Sequence, residues 1–331
     1  MNYIGIDISK KSFVAAFPNA KGYRTLEFEN TPSGIRKLIK QLPEGSIVVM
    51  EATGNYCFLL LYLLEKEHIT KCLVNPKQIK QFARMMMSVT KTDAKDACLI
   101  AQYGEKMIPA PYMLPSETIM ALKQKRTVLN QLKKQLGANR NLMEALSVLP
   151  KVDNSCKNAL KKIISALEKQ IQALENEMES VSESEFNSLL KRLTSIKGIG
   201  VTIATALIIA TGGFTYFDNA KQFSRYIGVC PTICQSGSSI NIRGGINRNG
   251  DETIRSLFYI ASWSALRHNT SCREMYQRLR NNGKPGKVAL VAVANKLIRQ
   301  CFAVVRSDTP YIDGFVSAKP QPSKCSVNGK A

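Results

Sequence analysis

The sequence predicts an α/β N-terminal part followed by a mostly α-helical remainder. Three observations carry this. Residues 3–74 hold short apolar runs of strand length separated by amphipathic stretches. From about Glu117 the apolar spacing changes to a helical period. Between the two, Pro109, Pro111 and Pro115 punctuate the chain and mark a linker.

Tyr3–Ile8 and Ser12–Phe17 are apolar runs joined by a Lys-Lys turn, which predicts a hairpin. Tyr23–Phe28 alternates and predicts a third strand. Thr31–Gln41 reads as a helix, with Ser33 in its first turn and Ile35, Leu38 and Ile39 on one face. Ser46–Met50 is a buried strand, Tyr56–Lys66 an apolar helix, and Lys71–Val74 a further strand stopped by Asn75-Pro76. Three antiparallel strands followed by alternating helix and strand is the order of a ribonuclease-H-like fold. Further on, Leu160, Ile164, Leu167, Ile171, Leu174, Met178 and Val181 are spaced four and three in alternation. That is an a/d seam with Glu and Lys on its flanks, which predicts a self-associating coiled coil; one helix of a bundle is the plainer reading. A second globular part opens near Leu189 with LTSIKGIGVTIATALIIATGG, read as helix, tight turn, helix, like a helix-hairpin-helix. The expected divisions are 1–148 (α/β domain with a basic helical linker), 149–186 (coiled coil) and 187–331. From Ser307 onwards Pro, Gly, Ser and Lys accumulate, predicting a disordered tail from about 312.

The 331 residues carry 46 Lys and Arg against 25 Asp and Glu, a formal net charge of +21. A hydrophobic content of 44% excludes a largely disordered chain. The positive field attracts polyanions, above all nucleic acid, and a small neutral metabolite would not call for it. The charge is concentrated: residues 121–170 hold 11 basic and 3 acidic residues, and 240–331 hold 15 and 5, while 171–239 is near neutral. Nine scattered cysteines and two histidines, His68 and His268, do not assemble a zinc signature; only Cys230 and Cys234 lie close together. The opening MNYIGIDISKK has no signal-peptide pattern, and the runs Cys57–Leu64 and Val201–Ala210 are too short to span a bilayer. The expectation is a cytoplasmic protein with reduced thiols and no membrane partner.

Four acids stand out. Asp7 lies inside the apolar strand YIGIDI, where a lone carboxylate is costly to desolvate. Glu51 closes the strand before ATGNY. Asp93 and Asp96, three apart in TKTDAKDACLIAQYG, share a helix face. Carboxylates of this kind hold hard divalent ions, Mg²⁺ or Mn²⁺, and two such ions about 4 Å apart stabilise the oxygens of phosphoryl transfer. Taken singly, each acid has a plainer reading: a turn cap, a strand-end acid, or helix N-terminal acids favoured by the dipole.

In QSGSSINIRGGINRNGD, Ser236 precedes Gly237 and is followed by Arg243, Arg248 and Arg255. An exposed serine in a flexible glycine-bounded loop beside arginines can attack a phosphate, and composition alone favours a plain turn serine. A Ser-His-Asp triad does not fit two distant histidines. Lys197-Gly198-Ile199-Gly200 suits either a phosphate contact or a packing turn. Lys284 and Lys287, at the start of a helix in NNGKPGKVAL, suit nucleic-acid phosphates or plain solvation.

The ordered set YIGIDISK, MEATGNY, VNPKQIKQFA and KTDAKDA, then GIG, RYIGVCP, QSGSSINIRGGINRNGD and NNGKPGKVAL, resembles the DEDD insertion-sequence transposases, family one-hundred-and-ten, from about Tyr3 to about Pro310. The resemblance implies a RuvC-like first domain whose metal site is Asp7, Glu51, Asp93 and Asp96. It implies a helical C-terminal transposase domain whose nucleophile is Ser236. It implies cleavage of donor and target double-stranded DNA through a 5′-phosphoserine, directed by a structured non-coding bridge RNA. It further implies dimers or tetramers joined by the coiled coil, with the RuvC-like site of one protomer meeting the serine of another, and a nucleoid-associated setting in a bacterium or archaeon. Many relatives have Tyr or Glu before the serine; here it is Gln235. Arg243, Arg248, Lys284 and Lys287 are the expected nucleic-acid contacts. The alternative function is a RuvC-like structure-selective nuclease that uses metal-activated water. A phosphotransferase of the actin-like type and a catalytically dead packaging protein fit the motifs less well.

Overall fold

The computed structural model describes residues 2–52, 54–87, 92–236, 240–246 and 250–314, and only the backbone between 232 and 244. The chain divides into two compact units, Met1–Leu114 and Pro115–Ala331.

The first unit runs β1 (Tyr3–Ile8), β2 (Ser12–Asn19), β3 (Gly22–Glu29), α1 (Pro32–Ile39), β4 (Ile47–Glu51), α2 (Phe58–Lys66), β5 (Thr70–Val74), α3 (Pro76–Met85) and α4 (Asp93–Met107). The sheet order is β3-β2-β1-β4-β5. The first three strands form an antiparallel meander, and β1, β4 and β5 are parallel. This is the ribonuclease-H-like order that the sequence predicts.

Period-two alternation sorts the strands between two cores. Ile4, Ile6 and Ile8 of β1 and Val48 and Met50 of β4 pack with α1 and α2. Tyr3 of β1 and Val49 of β4 pack on the other face, against α3 and α4. Helix starts follow local chemistry. The Thr31 hydroxyl accepts from Gly34 N–H to begin α1, and Thr92 accepts from Lys95 N–H to begin α4. Asn75-Pro76, expected as a strand stop, also starts α3: Asn75 and Gln78 form a capping box with Pro76 at N1. The proline-rich segment after α4 lies along this unit. Tyr112 N–H donates to the Lys71 carbonyl, and Tyr112 and Leu114 pack on the α1/α2 core.

The second unit comprises α5 (Glu117–Ser147), α6 (Asn154–Thr194), α7 (Val201–Thr211), α8 (Ala220–Tyr226), β6 (Pro231–Ser236), β7 (Ile240–Ile246), α9 (Glu252–His268), α10 (Thr270–Asn281) and α11 (Gly286–Ser307). The C-terminal half of the expected seam packs within the chain. Ile171 and Met178 of α6 bury against Leu122 and Leu129 of α5, with Leu174 and Val181 alongside. Lys125–Glu177, Lys133–Glu175 and Arg140–Glu168 bridge the two helices, whose numbers run in opposite directions, so the pair is antiparallel. The reason is proximity: six residues separate α5 from α6, so an intrachain partner costs little closure entropy.

The main core gathers around α11, whose Val293, Ala294, Leu297, Ile298 and Cys301 pack with α7 to α9. By length and composition α11 could cross a bilayer, but its buried face packs in this core. Asp251 caps α9 and pairs with Arg126 of α5 at 3.2 Å. Buried Asn269 caps α10 and joins Gln300 and Tyr311. Asp313, inside the expected tail, accepts from Thr270. Residues 315–331 of that tail lie outside the described residues.

Candidate active site

The four acids are placed by one close approach. Gly5 is buried, and a Cβ built on it would lie 2.1 Å from the Ala97 carbonyl oxygen and 2.2 Å from Ala101 N. Helix α4 therefore lies directly on β1. At the other end a Cβ on Gly104 would meet Tyr3 and Val49, both at 2.8 Å. Following β1 from Tyr3 to Gly5 thus follows α4 backwards, from Gly104 to the turn between Ala101 and Ala97. Two strand residues advance about 6.8 Å. That distance is four to five helix residues at about 1.5 Å each. Continuing from Gly5 to Asp7 by the same step comes level with residues 93–96, where Asp93 and Asp96 stand.

Glu51 joins them by register. Ile6 pairs with Met50 across the parallel β1/β4 ladder, and Asp7 and Glu51 are the next residues on each strand. Both alternate onto the α4 face, with Tyr3 and Val49. So the carboxyl ends of two parallel strands and the N-terminus of one helix bring four carboxylates to one end of one face. Asp7, Glu51 and Asp96 are half-buried and Asp93 is exposed. The α4 dipole favours negative charge at Asp93 and Asp96.

The donor set is all carboxylate, which suits a hard divalent cation. Among the described residues, no three His, Cys, Asp or Glu side chains are already gathered as a ligand cluster. The strand register and the approach of α4 put these acids on the same end of the sheet face, short of a gathered cluster.

Ser236 is in the second unit. It was expected in a glycine-bounded loop; its backbone is the last residue of β6 and pairs with Ile240 of β7. Gln235 pairs with Asn241 and Arg243 with Ile233. The β-branched residues of TICQS and SINIRGGI explain the hairpin, which sequence reading missed. Gly237, the two serines after it and Arg248 lie outside the described residues. Lys284 precedes α11, and its carbonyl accepts from Arg280. Lys287 stands in the first turn of α11 and lines a cleft. Arg278, Lys296 and Arg299 line the same cleft and were not singled out beforehand. Lys296 and Arg299, three apart on one helix, were the available signal.

Two family models match the chain in order. The DEDD transposase family of IS110 matches residues 4–150, and the transposase IS116/IS110/IS902 family matches residues 190–277. A pilin gene-inverting protein of Moraxella bovis is 30% identical over 318 residues, spanning 93% of this chain and 97% of the relative. A probable family 20 transposase of Pseudomonas aeruginosa is 24% identical over 95% of this chain and 99% of its own length. RuvC of T. thermophilus, solved with a Holliday junction substrate, is a weak structural likeness at TM-score 0.25 and 16% identity. It covers 34% of this chain and 99% of that one. The strand order fits a ribonuclease-H-like first unit, and the family model for DEDD transposases spans it. With two family models matched in order and a relative 30% identical over 97% of its own length, the chain belongs to the IS116/IS110/IS902 family of transposases.

Proposed function

We propose that this transposase cuts and rejoins DNA strands with two devices: a divalent metal held by Asp7, Glu51, Asp93 and Asp96, and an attacking alcohol supplied by Ser236. The observation that supports it best is the shared level of the four acids on the α4 face of the sheet. A divalent ion bound there, Mg²⁺ or Mn²⁺, would supply Lewis-acid stabilisation of phosphate charge. The chain's own part is the displacement. The Ser236 oxygen bonds to phosphorus and loses its proton to solvent. The P–O3′ bond breaks, and the 3′ oxygen takes up a proton to leave as a hydroxyl. The DNA 5′ end stays on the serine until a 3′-hydroxyl reverses the step. One phosphodiester is exchanged for another, so no outside energy source is needed.

The resemblance adds a bridge RNA as guide, donor and target duplexes as substrates, an oligomer as the working form and the nucleoid-bearing cytoplasm as the setting. The Moraxella relative is named for inverting a pilin gene, and inverting a DNA segment requires strands to be cut and rejoined.

The test uses 3′-end-labelled element DNA with the element's own RNA and Mg²⁺, followed by denaturation. Wild type should carry label on the protein. Ser236→Ala should bind DNA and carry none, and Asp7→Asn should not cut. Cutting by Ser236→Ala at the wild-type rate, with free 5′-phosphates, would overturn the serine and leave the RuvC-like nuclease reading.

A further inference from the structure

At the root of the β6–β7 hairpin the second unit holds a cleft of about 1370 Å³. Its walls come from the hairpin root, α9, α10 and α11. Five of the twenty lining residues are cationic, Arg255, Arg278, Lys287, Lys296 and Arg299, and none is acidic. Arg255 donates to the Ile227 carbonyl at 2.9 Å and Lys296 to the Ser271 carbonyl at 2.7 Å, which holds both in place. Among the described residues, Arg278, Lys287, Lys296 and Arg299 form no ion pair. The wall between them is apolar: Tyr259, Ile260, Met275, Val288 and Val291. Ile260 is 64% exposed and Val288 53%.

These features select a ligand. Arg278, Lys287, Lys296 and Arg299 call for several anionic groups along the cleft. An exposed apolar wall with a tyrosine calls for flat apolar faces between them. The volume exceeds the roughly 300–1,000 Å³ of small-molecule sites. A paired duplex offers phosphates but hides its base faces. A single strand offers both, phosphates to the cations and bases to the ring and aliphatic wall.

We infer that this cleft binds single-stranded nucleic acid. It does not take the phosphate that Ser236 is proposed to attack. From Pro231 at the cleft to Ser236 is five strand steps, about 17 Å. The cleft therefore holds a segment flanking that point. The inference deepens the strand-exchange reading, which explains why an unpaired strand would be at hand, but binding itself needs neither metal nor serine.

The test is fluorescence anisotropy with the full chain in EDTA, over a range of salt. The probes are labelled 20-mers of deoxythymidine and of uridine, and a 20-base-pair duplex. Arg278→Ala with Arg299→Ala should weaken single-strand binding about tenfold or more and lower the salt slope by about 1.4. Duplex binding should change by less than about threefold. Tyr259→Leu should weaken single-strand binding about fivefold or more, the lower end of stacking losses, without altering the slope. Arg278→Lys with Arg299→Lys should restore the slope, which separates charge from folding damage. The DNA and RNA arms identify which strand is preferred. Asp7→Asn and Ser236→Ala should bind like wild type, so failure of the catalytic reading would not touch this result. Unchanged single-strand affinity in the alanine pair, or an equal loss for the duplex, would overturn the inference.

Discussion

Gly5→Ala is the substitution that most directly probes how the acids are placed. The added methyl would sit 2.1 Å from the Ala97 oxygen and 2.2 Å from Ala101 N, both backbone atoms that no rotamer change can move. Restoring an ordinary contact of 3.4 Å requires α4 to move off β1 by about 1.3 Å. Overpacking of this kind costs about 1–3 kcal/mol. The functional cost should be larger than the stability cost, because the helix that moves carries Asp93 and Asp96 away from Asp7 and Glu51. A misplacement of about 1 Å is worth roughly 100-fold in rate. The assay is metal-dependent cutting of element DNA, read beside the urea midpoint. Gly104→Ala is the control. Its methyl meets the buried side chains of Tyr3 and Val49 at 2.8 Å, so it too forces a shift, but at the far end of α4 from the acids. It should lower stability while retaining most of the rate. If Gly5→Ala cuts like wild type, or if both variants lose rate in step with stability, the alignment of α4 on β1 does not set the acids.

Two further outcomes follow from the second unit. Met178→Ala should destabilise the α5–α6 hairpin by about 2–5 kcal/mol without changing the particle mass measured by light scattering, because the seam is filled within the chain. A fall in mass would show that the seam joins protomers instead. Alkylation at pH 7.5, mapped by mass spectrometry, should modify exposed Cys156 well before Cys272 and Cys301. Burial pushes the Cys272 thiol up to about 11 and raises Cys301 as well, so their reactive thiolate is scarce while the chain is folded. Equal rates for the three in native protein would contradict the packing around α11.

The linear chain was enough to recognise what depends on neighbours in sequence. Alternation in YIGIDI and SIVVME marks Asp7 and Glu51 as strand acids, and the β1/β4 register then puts them on one side. The three-residue spacing of Asp93 and Asp96 puts them on one helix face by the same kind of local rule. Even so, Asn75-Pro76 was read only as a stop, because ending one element and capping the next use the same residues.

Other features needed the folded chain, because they depend on which distant segments meet. A heptad seam is equally satisfied by a second copy or by a neighbouring helix; in the fold Ile171 to Val181 pack on α5, which a six-residue connection brings alongside. The strand character of the Ser236 segment emerged through its pairing with β7, a nonlocal ladder that composition alone reads as a loop. The cationic cleft draws residues from positions 229 to 303, so no window of sequence contains it. Side-chain alternation and helical spacing are set by backbone geometry within a few residues, whereas the choice of packing partner is a competition among all apolar faces at once. Thus residue types and local periods determined which groups were available for chemistry. The contact of Gly5 with α4 decided how that helix, with Asp93 and Asp96 in its first turn, lies along β1.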